Sequence, residues 1–118
     1  MSAPPWPRAR LRVHLDETLM LGPGKAELLE GIAATGSIAE AGRRMGMSYQ
    51  RAWSLVQTLN AGFAAPLVER QRGGSGGGGA QLTATGEQVL TIYRAIERDA
   101  QRAVDKRAAA LAALQRRG

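Results

Sequence analysis

Gln50, Arg51, Trp53, Ser54 and Gln57 are the residues of this chain best suited to chemistry with a partner. They surround an apolar stripe of Ala52, Val56, Leu59 and Phe63, whose 3–4 spacing predicts one amphipathic helix. The opposite face carries amides, a guanidinium, an indole and a hydroxyl. Amides and guanidinium groups can each make two hydrogen bonds to a base edge, and the guanidinium can also grip phosphate. A merely solvated helix face would more often carry Glu and Lys. Here no acidic residue occurs from residue 42 to 68, whereas Arg43, Arg44 and Arg51 do. The alternative reading is an ordinary corner of two packed helices, without a ligand.

Other chemistries find less support. The chain has no cysteine and one histidine, His14, which lies in an alternating stretch and reads as a surface strand residue. No Ser–His, His–carboxylate or paired-carboxylate set is visible, so neither an enzyme, a metal site nor a cofactor is expected. The glycine run at residues 73–79 has six glycines in seven positions. It lacks the Gly-Lys-Ser/Thr ending of a nucleotide-binding loop. It could be a flexible linker, but glycines also let backbone N–H groups approach a phosphate, which makes Gly74 and Gly76 candidate contacts to DNA.

The elements that must position these groups are marked by their ends. Ser37 and Glu40 have capping-box spacing, and Ile38, Ala41 and Met45 follow on one helical face. Gly46 stops that helix and Ser48 caps the next. A short helix, a tight turn and a longer helix form a helix-turn-helix, whose second helix can enter the DNA major groove. Upstream, residues 10–15 alternate as a half-buried strand with Leu11, Val13 and Leu15 inward, and residues 18–21 could pair with it. Pro23 opens a helix that runs to Thr35 with Leu28, Leu29, Ile32 and Ala33 on its inner face.

Downstream, Pro66 blocks further helix, residues 67–72 read as a strand, and residues 80–82 form its partner across the glycine run. This is the wing of a winged helix-turn-helix. Thr83 or Thr85 caps a last helix expected to reach Arg116, and Thr85 with Gln88 could form another capping box. Val89, Ile92, Ile96, Ala100, Ala103 and Val104, extended by Leu111 and Leu114, give it a stripe suited to a dimer seam; beyond Arg107 the alternative is a frayed Ala-rich tail. The fold class is thus mainly α with a small β component. A disordered arm (1–9), a winged helix-turn-helix (10–83) and a long dimerisation helix (84–118) are expected.

At 118 residues the chain is one domain, and its net charge of +6 and pI near 11.0 favour a polyanionic partner. Lys25 and Lys106 are its lysines; the remaining excess is arginine, the better bidentate ligand for phosphate and guanine. No apolar run is long enough to span a membrane, and the N-terminus lacks a signal-peptide core, so a cytoplasmic location is expected.

Thr35-Gly36-Ser37-Ile38, Gly46-Met47-Ser48-Tyr49, Ala52-Trp53 and Leu67-Val68-Glu69-Arg70 before the glycine run and Ala80-Gln81-Leu82-Thr83 carry a family resemblance. The order of elements resembles the LysR-type winged DNA-binding domain, and more closely the N-terminal domain of the molybdate-dependent regulator ModE. The resemblance covers roughly residues 10–105. It implies a homodimer on a palindromic operator, formed largely through the N-terminal strand region and the long helix. The oxyanion-binding domains of ModE are not matched, so a stand-alone module without an oxyanion effector is expected.

Base readout is therefore expected from Ser48, Tyr49, Gln50, Trp53, Ser54 and Gln57, with Trp53 either stacked on the sugar–phosphate edge or half-buried against the wing. Phosphate contacts are expected from Arg43, Arg44, Arg51, Arg70 and Arg72, and Ser37 is a further candidate at the DNA surface. A non-specific architectural DNA-binding protein and a protein–protein adaptor are the competing functions.

Overall fold

A computed structural model describes residues 6–71 and 79–116. Its elements run β1 (Val13–His14), β2 (Met20–Leu21), α1 (Pro23–Thr35), α2 (Ile38–Arg44), α3 (Tyr49–Gly62), β3 (Val68–Gln71), β4 (Gly79–Leu82) and α4 (Ala84–Leu114). The fold is mainly helical with two small antiparallel hairpins, a winged helix-turn-helix with a long last helix.

The first strand is shorter than the alternation over residues 10–15 predicts. Val13 faces Leu21 and His14 faces Met20, and pairing stops there. Asp16 sets the limit at the hairpin end: its Oδ1 accepts hydrogen bonds from the backbone N–H groups of Thr18 (2.8 Å) and Leu19 (2.7 Å). This local turn competes successfully with a longer ladder. Leu15, expected inward, is 51% exposed, and Leu19 is buried in its stead.

Pro23 occupies the first turn of α1, and Gly36 ends the helix in the left-handed region at φ 71°. Leu28, Leu29 and Ile32 are buried as expected, but Ala33 is exposed and Ala26 is buried. The close approach of α2 fixes that face. A Cβ at Gly31 would lie 2.9 Å from the Ala41 Cβ.

Ser37 caps α2 by accepting a 3.0 Å bond from Glu40 N–H. The return half of the expected capping box is not made. Thr35 Oγ1 accepts from Ser37 N–H at 3.2 Å, which frees the Glu40 carboxylate to pair with Arg43 at 2.8 Å. Gly46 turns the chain at φ 72°, and Ser48 caps α3 by accepting from Arg51 N–H at 3.1 Å. Ala52, Val56 and Leu59 are buried as the spacing predicts, while Phe63 is half-buried just beyond the helix.

The wing pairs β3 with β4 so that Arg70 faces Ala80. Its base is tied down on two sides. Ala80 N–H donates to Gly36 O at 2.9 Å. Asn60 Oδ1 accepts from Leu67 N–H and Val68 N–H at 2.8 and 3.1 Å, and its Nδ2 donates to Val68 O at 3.0 Å. Asn60 thus acts as one residue of a neighbouring strand. Thr83, not Thr85, caps α4: its hydroxyl accepts from Gly86 N–H at 3.0 Å and donates to Pro66 O at 2.6 Å. The Thr85–Gln88 box therefore has no helix start to cap, and α4 ends at Leu114, short of the expected Arg116. Gly86 lets α4 touch the start of the wing, because a Cβ there would lie 2.1 Å from Leu67 O.

The core is built from Leu28, Leu29, Ile32, Val56, Leu59, Leu67 and Tyr93. Tyr93 takes the inner position on α4 and its hydroxyl donates to Leu11 O at 2.8 Å. Arg94 beside it pairs with Glu30 of α1 and with Glu97. The expected stripe on α4 is consequently split. Val89, Ile96, Ala100 and Val104 are half-buried, Ala103 is exposed, and Ile92, Leu111 and Leu114 stand out at 60%, 73% and 84% exposure. The end of the N-terminal arm lies along α4, with Ala9 N–H donating to Gln101 Oε1 at 2.9 Å.

Candidate nucleic-acid interface

The helix-turn-helix places α3 against α2, with its stripe of Ala52, Val56 and Leu59 buried in the shared core. At about 100° per residue, Gln50, Ser54 and Gln57 then point directly away from the core, and all three are exposed. Ser48 and Tyr49 lie at the exposed start of the helix, and Arg51 lies on its flank. Arg43 and Arg44 are exposed at the end of α2, Arg43 with its ion pair to Glu40. Such a pair on a 75% exposed side chain is a weak tether, so Arg43 can exchange Glu40 for another anion. Ser37 is half-buried at the start of α2, its oxygen engaged in the cap.

The other flank of α3 meets the wing. Tyr49 and Trp53 are one helical turn apart with rings nearly parallel, 12° between planes and 6.5 Å between centroids. The Arg70 guanidinium lies over Trp53, 4.2 Å from the ring centre, and Nη2 donates to Tyr49 Oη at 2.6 Å. The strand alternation explains the placement. Val68 and Arg70 share the inner face of β3 with Ala80 and Leu82 of β4, so Arg70 extends an apolar face out over Trp53. Glu69, Gln71 and Gln81 take the outer face and bond to one another, Gln71 to Gln81 at 2.8 Å and Gln81 to Glu69 at 3.0 Å. Of the two arrangements open for Trp53 in the sequence, the half-buried one against the wing is present.

Ser37, Arg43, Arg44, Ser48, Tyr49, Gln50, Arg51, Trp53, Ser54, Gln57 and Arg70 all lie on the helix-turn-helix and the first wing strand. Arg72, Gly74 and Gly76 lie outside the described residues. Asn60 and the pairing of Arg70 with Tyr49 and Trp53 escape a reading of the sequence. Asn60 sits on the same helical face as Trp53, and seven or eight residues before the strand it binds, which is the signal that could have found it. Among the described residues no group of acidic, histidine or cysteine side chains is arranged to hold a metal ion. No described helix is long and apolar enough to cross a membrane.

Residues 24–87 match the family model for the bacterial regulatory helix-turn-helix protein, lysR family. The molybdenum-pterin-binding protein MopB of Rhodobacter capsulatus is 47% identical over 77 residues, covering 65% of this chain and 28% of that protein. The DNA-binding transcriptional dual regulator ModE of Escherichia coli K12 is 37% identical over 95 residues, covering 80% and 36%. The chain thus spans about a third of the length of these curated relatives. Among solved structures, the CbnR DNA-binding domain in complex with DNA is similar, with a TM-score of 0.58 and 29% identity over 74% of this chain and 94% of that one.

Proposed function

The chain belongs to the bacterial regulatory helix-turn-helix proteins of the lysR family, and we propose that it regulates transcription by binding a specific duplex DNA sequence. The observation that carries this reading is the exposed Gln50–Ser54–Gln57 face of α3, capped at Ser48 and flanked by the wing. α3 enters the major groove, where Gln50, Ser54 and Gln57 meet base edges. Ser48 and Tyr49 approach with the helix start. Arg43, Arg44, Arg51 and Arg72 hold phosphates, and Gly74 and Gly76 bring the wing backbone to the sugar–phosphate chain. The similarity to a domain that has been crystallised with DNA supports the same use of this fold.

The active species is a homodimer on an inverted repeat. An apolar groove of about 180 Å3 runs between the N-terminal hairpin and α4, lined by Leu15, Leu21, Phe63, Val89, Ile92 and Ile96. Ile92 and Leu15 are left largely exposed beside it, and a second copy of the chain covers them in this reading. The N-terminal segment, the winged domain and α4 then serve as arm, reader and dimer seam, in a cytoplasmic protein that acts by binding and not by catalysis. Competition gel shifts test the reading against a non-specific architectural role. One duplex should survive a large excess of scrambled competitor at physiological salt; equal competition by every duplex would favour the architectural role.

A further inference from the structure

We propose that Arg70, Tyr49 and Ser37 form a seat for one phosphodiester group of the DNA backbone, with Trp53 as the residue that orients Arg70. The inference rests on the duplex-binding reading above and gives it a specific anchoring point.

A cleft of about 230 Å3 opens between the start of α2, the start of α3 and the wing. Ser37 and Ile38 line one side, Tyr49 and Arg70 another, and Gly79 with Ala80 a third. No acidic residue is among its lining residues. The wall at Gly79 is bare backbone, where a Cβ would come within 3.2 Å of Gly36 O. The wing can therefore approach the start of α2 without a side chain filling the space between them.

The donors in this cleft are arranged and unspent. Tyr49 Oη accepts from Arg70 Nη2 at 2.6 Å, so the phenolic proton remains to be given to an acceptor. Ser37 Oγ accepts from Glu40 N–H at 3.0 Å, so its hydroxyl proton is likewise available. Arg70 commits one N–H to Tyr49 from a fork of about five. An anion with several oxygens satisfies all three at once, and charge-assisted bonds of this kind are the strong ones. The guanidinium stacked 4.2 Å over Trp53 is held in place before the anion arrives, which reduces the ordering cost of binding. The Ser37 contact at one end and the Arg70 contact at the other join α2 to the wing across a single phosphate. That fixes the register of α3 in the groove.

The test is a scan in which each phosphate of one operator half-site is replaced in turn by an uncharged methylphosphonate, with the full chain and with its Arg70→Met, Tyr49→Phe and Trp53→Phe variants. With the full chain, one position should weaken binding on the order of tenfold or more, as loss of charged hydrogen bonds does. In Arg70→Met that position should no longer matter, and the salt slope should fall by about one per half-site. Tyr49→Phe should reduce the effect at the same position and no other, and Trp53→Phe should reduce it without abolishing it. Helical circular dichroism and urea unfolding of all three variants report that the fold is intact. Losses that simply add at every position, with duplex binding retained, overturn the seat and leave the proposed function standing. Failure of the full chain to prefer any duplex overturns the function and the seat with it.

Discussion

At the level of single residues, the exposed and buried groups of α3 have separable roles. Gln50→Ala with Ser54→Ala should lower preference for the operator by about 1–3 kcal/mol for each bidentate base pairing removed, and leave non-specific binding nearly unchanged. Paired titrations of operator and scrambled duplex measure this; an unchanged preference would remove these residues from base readout. Asn60 belongs to the fold instead. Asn60→Ala leaves the N–H groups of Leu67 and Val68 and the Val68 carbonyl without their partner, at a cost of about 1–3 kcal/mol in urea unfolding. The apolar stripe of α3 was legible because its spacing is regular. Asn60 and the Tyr49–Trp53–Arg70 stack were not, because each joins residues separated in the chain, and only the register of the wing on α3 decides which groups meet. The half-formed capping box at Ser37 has a similar cause: Thr35, two residues upstream, reaches the N–H that Glu40 was expected to take.

At the level of elements, caps and glycines located the joints well. Gly36, Gly46 and Ser48 end or start helices where their chemistry predicts. The N-terminal strand shows the limit of periodicity, since of six alternating residues only Val13 and His14 pair, and the Asp16 turn bounds the ladder at its hairpin end. The α4 stripe shows another limit. A 3–4 pattern of Ile, Val and Ala does not reveal that Tyr93 takes the buried position and leaves Ile92 exposed. Burial pushes the Tyr93 hydroxyl above its usual value of 10.0, with Glu97 adding to the effect. The neutral form is therefore favoured by folding. Stability from this group is full below about pH 10 and falls as the pH rises from there towards the higher folded value. Tyr93→Phe should abolish that alkaline loss and cost about 0.5–1.5 kcal/mol at neutral pH through the bond to Leu11 O. Denaturant midpoints of both proteins, followed from neutral to alkaline pH, check the sign; a parallel alkaline decline in the variant would assign it elsewhere.

At the level of the molecule, charge and shape favour a partner larger than a metabolite. The net charge of +6 comes almost entirely from arginine, and the molecule measures 56 × 33 × 22 Å, its length set by the 31 residues of α4. A helix of that length rises about 46 Å, more than one small domain can cover. Truncation after Arg94 should therefore yield a monomer with much weaker duplex binding, seen by sedimentation at micromolar concentration. A truncated chain that remains as fully dimeric would confine the seam to the groove of Leu15, Val89 and Ile92, which the truncation leaves in place. The central claim is sequence-specific duplex binding by a two-fold reader, and selection of bound sequences from a random duplex library by the purified chain tests it most directly. The account predicts enrichment of an inverted repeat whose half-sites lie about one DNA turn apart, roughly 10–10.5 base pairs centre to centre, or a multiple of it. Recovery of sequences no different from the starting library, at a salt concentration where the chain still binds duplex, would contradict it.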